Sequence, residues 1–310
     1  MAIDFMERLR NTYDVLVECQ SMHTILVEEY AKPMEAHISD WVVAHPKVFQ
    51  DAIQRAFAAG CDIVHIATQA SSPIRARPFG VDDRVYELNY MPAKLAKEVA
   101  PKDRYVIGDV SSSNPDFLEP VGNLTPDEVY NGYREQALGL LDGGVDLIAV
   151  SGNHIDESVL AIKAVKDIRN IPILTDNVFY LGKKGFRTMM GLDPITASAK
   201  LQEAGADVVG FACGLMTKSR DSSEWYPGAT ALLKEMKQGT DRYLRVLPDA
   251  GLPELIDGKT VWPASPEEMA SEVPNWVNTD ARIIGGCCGT TLEHLRKISA
   301  VLREMGVKSA

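Results

Sequence analysis

Short apolar runs alternate with stretches of helical period along most of the chain. Each run is strand-length, and each intervening stretch repeats its apolar positions every three to four residues. The pattern predicts strands at Asp14–Gln20, Cys61–Thr68, Tyr105–Val110, Asp146–Ser151, Pro172–Asp176, Asp207–Cys213, Tyr243–Leu247 and Arg282–Gly286. Helices are predicted at Ile3–Thr12, Pro46–Ala59, Val85–Ala100, Thr125–Asp142, Glu157–Ile168, Pro194–Ala204, Gly228–Lys237, Pro266–Val273 and Leu292–Met305.

Helix starts are marked chemically. Thr125-Pro-Asp-Glu128 and Ser265-Pro-Glu-Glu268 each combine a hydroxyl cap, a first-turn proline and a glutamate at the third position. Thr290 with Glu293 reads as a third such box. Gly60, Gly143 and Gly205 stop helices just before strands. Eight strands, each followed by a helix, predict one α/β domain over residues 1–310, a (β/α)8 TIM barrel. A doubly wound open sheet is the competing architecture. Longer loops fall near 69–84, 111–124, 177–193, 214–227 and 248–264. In a barrel, the residues at the C-terminal ends of the strands carry the chemistry.

Composition narrows the class. The 310 residues are 45% hydrophobic, enough for a substantial core, and carry a net charge of −11 with pI ≈ 5.1. That balance argues against a nucleic-acid partner. No signal segment or membrane-length apolar run is evident, so a membrane association is not expected. The cysteines are Cys19, Cys61, Cys213, Cys287 and Cys288. An odd, sparse set suits a reducing cytoplasm, where thiols bind metal or react.

Ile283-Ile-Gly-Gly-Cys-Cys-Gly-Thr290 concentrates the chemistry. Adjacent cysteines bridge each other poorly. Cys213 ends the sixth strand and Cys287 and Cys288 end the eighth, so a closed barrel places three thiols on one rim. Three sulfur ligands with one open tetrahedral position suit catalytic zinc. Such a site lowers the pKa of an external thiol. Small buried hydrophobes are the alternative reading of cysteines at strand ends.

Ile283–Thr291, with Gly-Gly-Cys-Cys-Gly-Thr-Thr, resembles the signature of the zinc-dependent homocysteine S-methyltransferases, the family of betaine–homocysteine methyltransferase and of the N-terminal module of cobalamin-dependent methionine synthase. Val208–Gly214, Leu118–Thr125, Arg187–Gly191, Ala250–Leu255 and Asp257–Thr260 are also similar to family segments. The resemblance covers most of the chain. It implies a barrel, zinc on Cys213, Cys287 and Cys288, and methyl transfer. The chain departs from the pattern at three strand ends. A family Asp-Gly turn is replaced by Glu18-Cys-Gln-Ser-Met-His-Thr24, an Ile-Glu-Thr end by Val150-Ser-Gly-Asn153, and an Asn-Thr-Phe by Thr68-Gln-Ala-Ser71. The asparagine before the zinc cysteine is Ala212.

The remaining candidates lie at the same strand ends. Glu18 stands where the family has its acid. His23 and His65 are candidates to position substrate or move a proton, with a structural histidine as the competing reading. Ser151, Asn153, His154, Asp109, Asp176, Asn177 and Asp249 are candidate polar contacts, with loop capping as the alternative for the carboxylates. Arg75 and Arg77 read as a solvated basic loop, and Tyr180 and Trp225 as packing under rim loops. Three functions follow: methyl transfer to a thiol such as homocysteine; demethylation of a small molecule, with cobalamin on a partner corrinoid protein accepting the methyl; or a non-catalytic zinc or redox barrel.

Overall fold

The structure, a computed structural model, describes residues 4–11, 13–111, 118–219 and 221–308. The predicted helix ends Ile3 and Thr12, and part of the predicted loop 111–124, lie outside these residues. In chain order the elements are α1 (Phe5–Asn11), β1 (Leu16–Cys19), α2 (Met22–Tyr30), α3 (Ile38–Ala44), α4 (Pro46–Ala58), β2 (Ile63–His65), α5 (Pro73–Ala76), α6 (Val85–Val99), β3 (Tyr105–Ser111) and α7 (Pro126–Gly143). They continue with β4 (Leu147–Gly152), α8 (Ile155–Lys166), β5 (Ile173–Asn177), β6 (Tyr180–Gly182), β7 (Gly185–Arg187), α9 (Pro194–Ala204) and β8 (Val208–Ala212). The last are α10 (Trp225–Lys237), β9 (Tyr243–Leu247), β10 (Glu254–Ile256), β11 (Lys259–Val261), α11 (Pro266–Asn278), β12 (Ala281–Gly286) and α12 (Leu292–Glu304).

The parallel strands close in the order β1–β12–β9–β8–β5–β4–β3–β2, which makes a (β/α)8 barrel and excludes the open sheet. All eight barrel strands overlap the predicted runs; β3, β4 and β5 run one residue further and β12 starts one residue earlier. Two short antiparallel hairpins, β6–β7 and β10–β11, occupy rim loops. The capping boxes at Thr125 and Ser265 form, each backbone N–H donating to the glutamate three residues on, at 2.9 and 2.6 Å. The third box is shifted by one residue. Thr291 caps α12, and its N–H donates to His294 Nδ1 at 3.1 Å. Thr290 instead donates its hydroxyl to the Cys287 carbonyl at 2.6 Å.

Strand alternation divides the apolar residues into two bodies. Val17, Val64, Val106, Ile148, Val209, Val246 and Ile284 face outward and pack with the helices. Leu16, Ile63, Ile107, Leu147, Leu174, Val208 and Ile283 face inward and form a separate cluster, closed from the N-terminal end by Phe5 and Leu9 of α1. Each such side chain contributes about 1.5–3 kcal/mol when fully buried. One inward layer higher, the residues change character: Glu18, His65, Asp109, Asp176 and Arg245 replace the aliphatics.

Glycine makes room for that polar layer. At Gly210, beside Arg245 in the register, an added Cβ would stand 2.4 Å from the Arg245 carbonyl oxygen and 2.6 Å from its Cβ. At Gly285 it would meet the Glu18 carbonyl oxygen at 2.0 Å. Gly210→Ala should therefore destabilise the barrel by about 1–3 kcal/mol through overpacking. Urea denaturation of the two proteins measures this, and an unchanged midpoint would contradict it.

Candidate active site

Three loops converge at the C-terminal rim. Cys213 follows β8 in the left-handed region, with φ 56°, and its N–H donates to the Leu247 carbonyl at 3.2 Å. The next residue, Gly214, has φ 103°, and a Cβ there would meet the Phe179 carbonyl oxygen at 2.1 Å. Cys287 and Cys288 leave β12 pinned to the loop after β9. The Cys287 N–H donates to the Pro248 carbonyl at 3.0 Å, and the Cys288 N–H to Asp249 Oδ1 at 3.0 Å. Trp225, buried at the start of α10, donates its indole N–H to the Asp249 carbonyl at 3.1 Å.

The sulfurs stand close together: Cys213 to Cys287 at 2.8 Å, Cys213 to Cys288 at 3.7 Å, and Cys287 to Cys288 at 3.9 Å. Sulfurs sharing one tetrahedral zinc at about 2.3 Å lie about 3.8 Å apart. Two of the three pairs already have that spacing. One ligand atom from each cysteine and one Asp249 oxygen lie within 4.8 Å of one another. Three soft donors and one carboxylate form a set that fits zinc. Among the thiols, hydrogen bonds with Cys213 and then Cys287 hold Cys288 down at about 3. The Cys213 thiol is pushed up by the same contacts, first with Cys287 and then with Cys288. Burial, followed by the Cys288 thiolate, raises the Asp249 carboxyl.

A second constellation fills the barrel interior. Arg245 is fully buried and donates from Nε to Glu18 Oε2 at 2.7 Å; its second contact is to Glu18 Oε1. Glu18 Oε1 also meets His65 Nε2, so one carboxylate oxygen serves two cations. His65 Nδ1 is 2.8 Å from Asp109 Oδ1. Asp176 stands 3.5 Å from the other side of the guanidinium and accepts from the Ser151 hydroxyl at 2.6 Å and from the Gln20 amide. Against the cost of burial, Asp109 and Glu18 raise His65 to about 10. Burial likewise opposes ionisation of Glu18, but Arg245 and then His65 bring it to about 2. Asp176 is raised by its burial.

Between the two constellations lies a cavity of about 240 Å³. His23, Asp109, Ser151, Asn153 and Asp176 line it, together with Cys213, Cys287 and Cys288. The His23 Nε2 and Asn153 Oδ1 atoms are buried and make no hydrogen bond, and burial, then Lys32, lowers the His23 pKa. Glu18 and His65 lie beneath the cavity rather than on its wall. Two candidates face elsewhere. His154 precedes α8, away from the cavity lining. Asn177 spends its amide on the Gly152 carbonyl and the Ser158 hydroxyl, at 3.1 and 2.9 Å. Asp249 joins the thiols rather than the cavity wall. Arg75 is not a solvated loop residue: it lines the cavity and donates to Ser111 Oγ at 3.2 Å. Arg245 was absent from the candidate residues, although its signal is present in Tyr243-Leu-Arg-Val-Leu247, a charge at an inward position of a buried strand.

Thiols at a barrel rim, above a polar interior and beside a cavity, define the class: a (β/α)8 barrel whose sulfur-rich cluster fits a metal. A sequence profile of homocysteine S-methyltransferases matches residues 18–302, and the chain belongs to that family of methyltransferases. It is 26% identical over 273 residues to methionine synthase of Mycobacterium leprae (83% of this chain, 21% of that protein) and 25% identical over 279 residues to methionine synthase of Mycobacterium tuberculosis (83% and 22%). The chain thus spans about a fifth of the length of these relatives. Its fold matches the homocysteine methyltransferase MmuM from Escherichia coli in its metallated form, with TM-score 0.77 and 19% identity, covering 95% of this chain and 99% of that one. The oxidized form of that protein matches with TM-score 0.74 and 18% identity, covering 94% and 97%.

Two measurements follow from the buried network. Arg245→Met leaves Glu18 without its main partner and should cost about 3–5 kcal/mol of stability, read by urea denaturation; Glu18→Gln in the same chain should restore part of it. For His65 the folded-state pKa lies above the usual 6.5. Its charged form therefore contributes stability fully below about pH 6.5, and that contribution is lost as pH rises through about 10. The stability gap between wild type and His65→Gln should narrow steadily from pH 7 to pH 10. A gap that widens over that range would contradict the assignment of His65 as a buried cation.

Proposed function

We propose that this chain transfers a methyl group to a thiol such as homocysteine, with zinc held by Cys213, Cys287 and Cys288. The observation that supports this reading best is the convergence of three sulfurs on the wall of a cavity that also presents His23, Arg75, Asp109 and Asp176. Bound zinc supplies a Lewis acid that lowers the pKa of a substrate thiol and presents it as a nucleophile. Cys288, the exposed thiol of the three, opens toward the cavity. Asp249 offers an oxygen donor at the same cluster and fixes the Cys288 backbone.

The chain's other residues orient and discriminate. His65 bridges Asp109 and Glu18 through its two ring nitrogens, with Arg245 Nη2 2.8 Å from Nε2, and so fixes Asp109 on the cavity floor. Asp176, oriented by Ser151 and Gln20, offers its carboxyl to a donor group on the substrate. Asn153 Oδ1 and His23 Nε2 are further sites for substrate hydrogen bonds. The five free cysteines suit a reducing cytoplasm. No helix among the described residues is long and apolar enough to cross a membrane.

A second reading is favoured by one surface. The rim loops expose Tyr180, Met189, Met190, Leu255, Ile256 and Val261. An apolar rim suits a protein partner, here a corrinoid protein whose cobalamin would take the methyl from a methylated small molecule. Methyl transfer from a sulfonium donor to homocysteine, with and without a reduced corrinoid protein, separates the two readings. Turnover only with the corrinoid protein would overturn the first. In either case Cys213→Ala should reduce zinc well below one ion per chain and slow turnover at least about a thousandfold. Metal analysis beside the assay checks this, and full zinc occupancy in that variant would sink the three-cysteine site.

A further inference from the structure

Arg75 is a cavity-lining cation that meets no carboxylate among the described residues. Three buried cations face carboxylates: Arg245 faces Glu18 and Asp176, Arg8 faces Asp14 and Asp62, and Lys308 faces Asp62; buried Lys32 instead donates to the Pro33 and Ala36 carbonyls at 2.7 Å each. Arg75 has no carboxylate partner among the described residues. Its guanidinium NH1 donates to Ser111 Oγ at 3.2 Å, and Ser111 is itself anchored by donating to the Gln69 carbonyl. Ser72, at the start of α5, accepts from the Arg75 N–H at 3.3 Å and fixes the backbone that carries the side chain. Arg75, Ser111 and Gln69 all line the cavity that the thiols share. Burial lowers the Arg75 pKa, and the Tyr133 phenol opposes that shift.

A guanidinium held partly out of water, with no counter-ion among the described residues, bears a desolvation cost that an anion can offset. The guanidinium fork matches a carboxylate in two parallel hydrogen bonds. Asp176, on the same cavity, presents the opposite charge. The cavity therefore offers three chemically distinct contacts: soft metal ligands, a carboxylate and a guanidinium.

We infer that Arg75 is the specificity-determining residue that holds the carboxylate of the small molecule occupying this cavity. The proposal rests on reading the cavity as the substrate site; it does not depend on which molecule gives or receives the methyl group. Arg75 grips a part of the ligand remote from the sulfur, so it acts through binding and orientation and leaves the metal cluster unchanged.

The test uses zinc-loaded full-length wild type, Arg75→Lys and Arg75→Met, with thermal unfolding and zinc content confirming that each variant folds and loads. Calorimetric titration with L-homocysteine and with its methyl ester compares a ligand that carries the carboxylate with one that lacks it. Wild type should bind the acid at least about tenfold more tightly than the ester. Arg75→Met should lose that preference by weakening only the acid, and Arg75→Lys should fall between. In parallel, saturation-transfer NMR with butyrate and butyramide probes the subsite without a thiol. Wild type should show butyrate signals that Arg75→Met lacks, and butyramide should not distinguish the proteins. If homocysteine fails to bind wild type while butyrate contact still requires Arg75, the thiol-substrate reading fails and the anion site stands. If Arg75→Met keeps the full preference for the acid, or contacts butyrate as wild type does, the Arg75 proposal is overturned.

Discussion

The pairing of Arg245 with Glu18 inside the barrel governs what stands above it. A guanidinium and a carboxylate buried together are costly to desolvate, and the cost is offset only when nearly every polar atom finds a partner. Gly210 provides the space for the arginine, and Glu18 takes two of its nitrogens while sharing an oxygen with His65. His65 in turn orients Asp109, and the far side of the guanidinium faces Asp176. Each carboxylate that reaches the cavity floor is thereby fixed by a charge beneath it. The apolar layer sealed by α1 supplies the hydrophobic stability; the ionic layer supplies direction.

The thiol cluster is built on different principles. Its positions come from backbone geometry: a left-handed turn at Cys213, a glycine that nearly touches the Phe179 carbonyl, and strand-to-loop hydrogen bonds from Cys287 and Cys288. Rim and floor are therefore independently specified. The rim selects for sulfur, whereas the floor selects for polar and charged groups by hydrogen bonding and field. The first can be kept while the second varies: this chain sets Gly-Gly-Cys-Cys-Gly-Thr-Thr above a floor of Glu18, His65, Asp109, Asp176 and Arg245.

Much of the architecture was legible from periodicity because buried parallel strands and amphipathic helices leave regular traces. The exceptions have local causes. α2 was missed because His23, Glu28 and Glu29 interrupt its apolar stripe, and only Met22, Ile25 and Leu26 are buried. The two rim hairpins are three-residue strands with mostly exposed side chains, too short for alternation to register. The cysteines were readable since their residue type and spacing are rare. Arg245 and Arg75 were harder. Whether an arginine is solvated, ion-paired or waiting in a cavity depends on what lies across the barrel, and neighbours in sequence do not report that. His154 and Asn177 show the converse, since proximity to a strand end does not determine which way a side chain points.

The direct passage from β1 into α2 has a consequence for how this cavity can change. Where a glycine-rich turn encloses a ligand, recognition is written in main-chain amides, and no point mutation can easily rewrite it. Here Gln20, Ser21, His23 and Thr24 form that wall with their side chains. Gln20 also reaches Asp176, and Thr24 accepts the Gly289 N–H at 3.3 Å, so exchange at either position is felt by the floor or by the thiol loop. Selectivity on this side of the cavity is thus written in side chains, open to stepwise revision one codon at a time, beside the thiol rim.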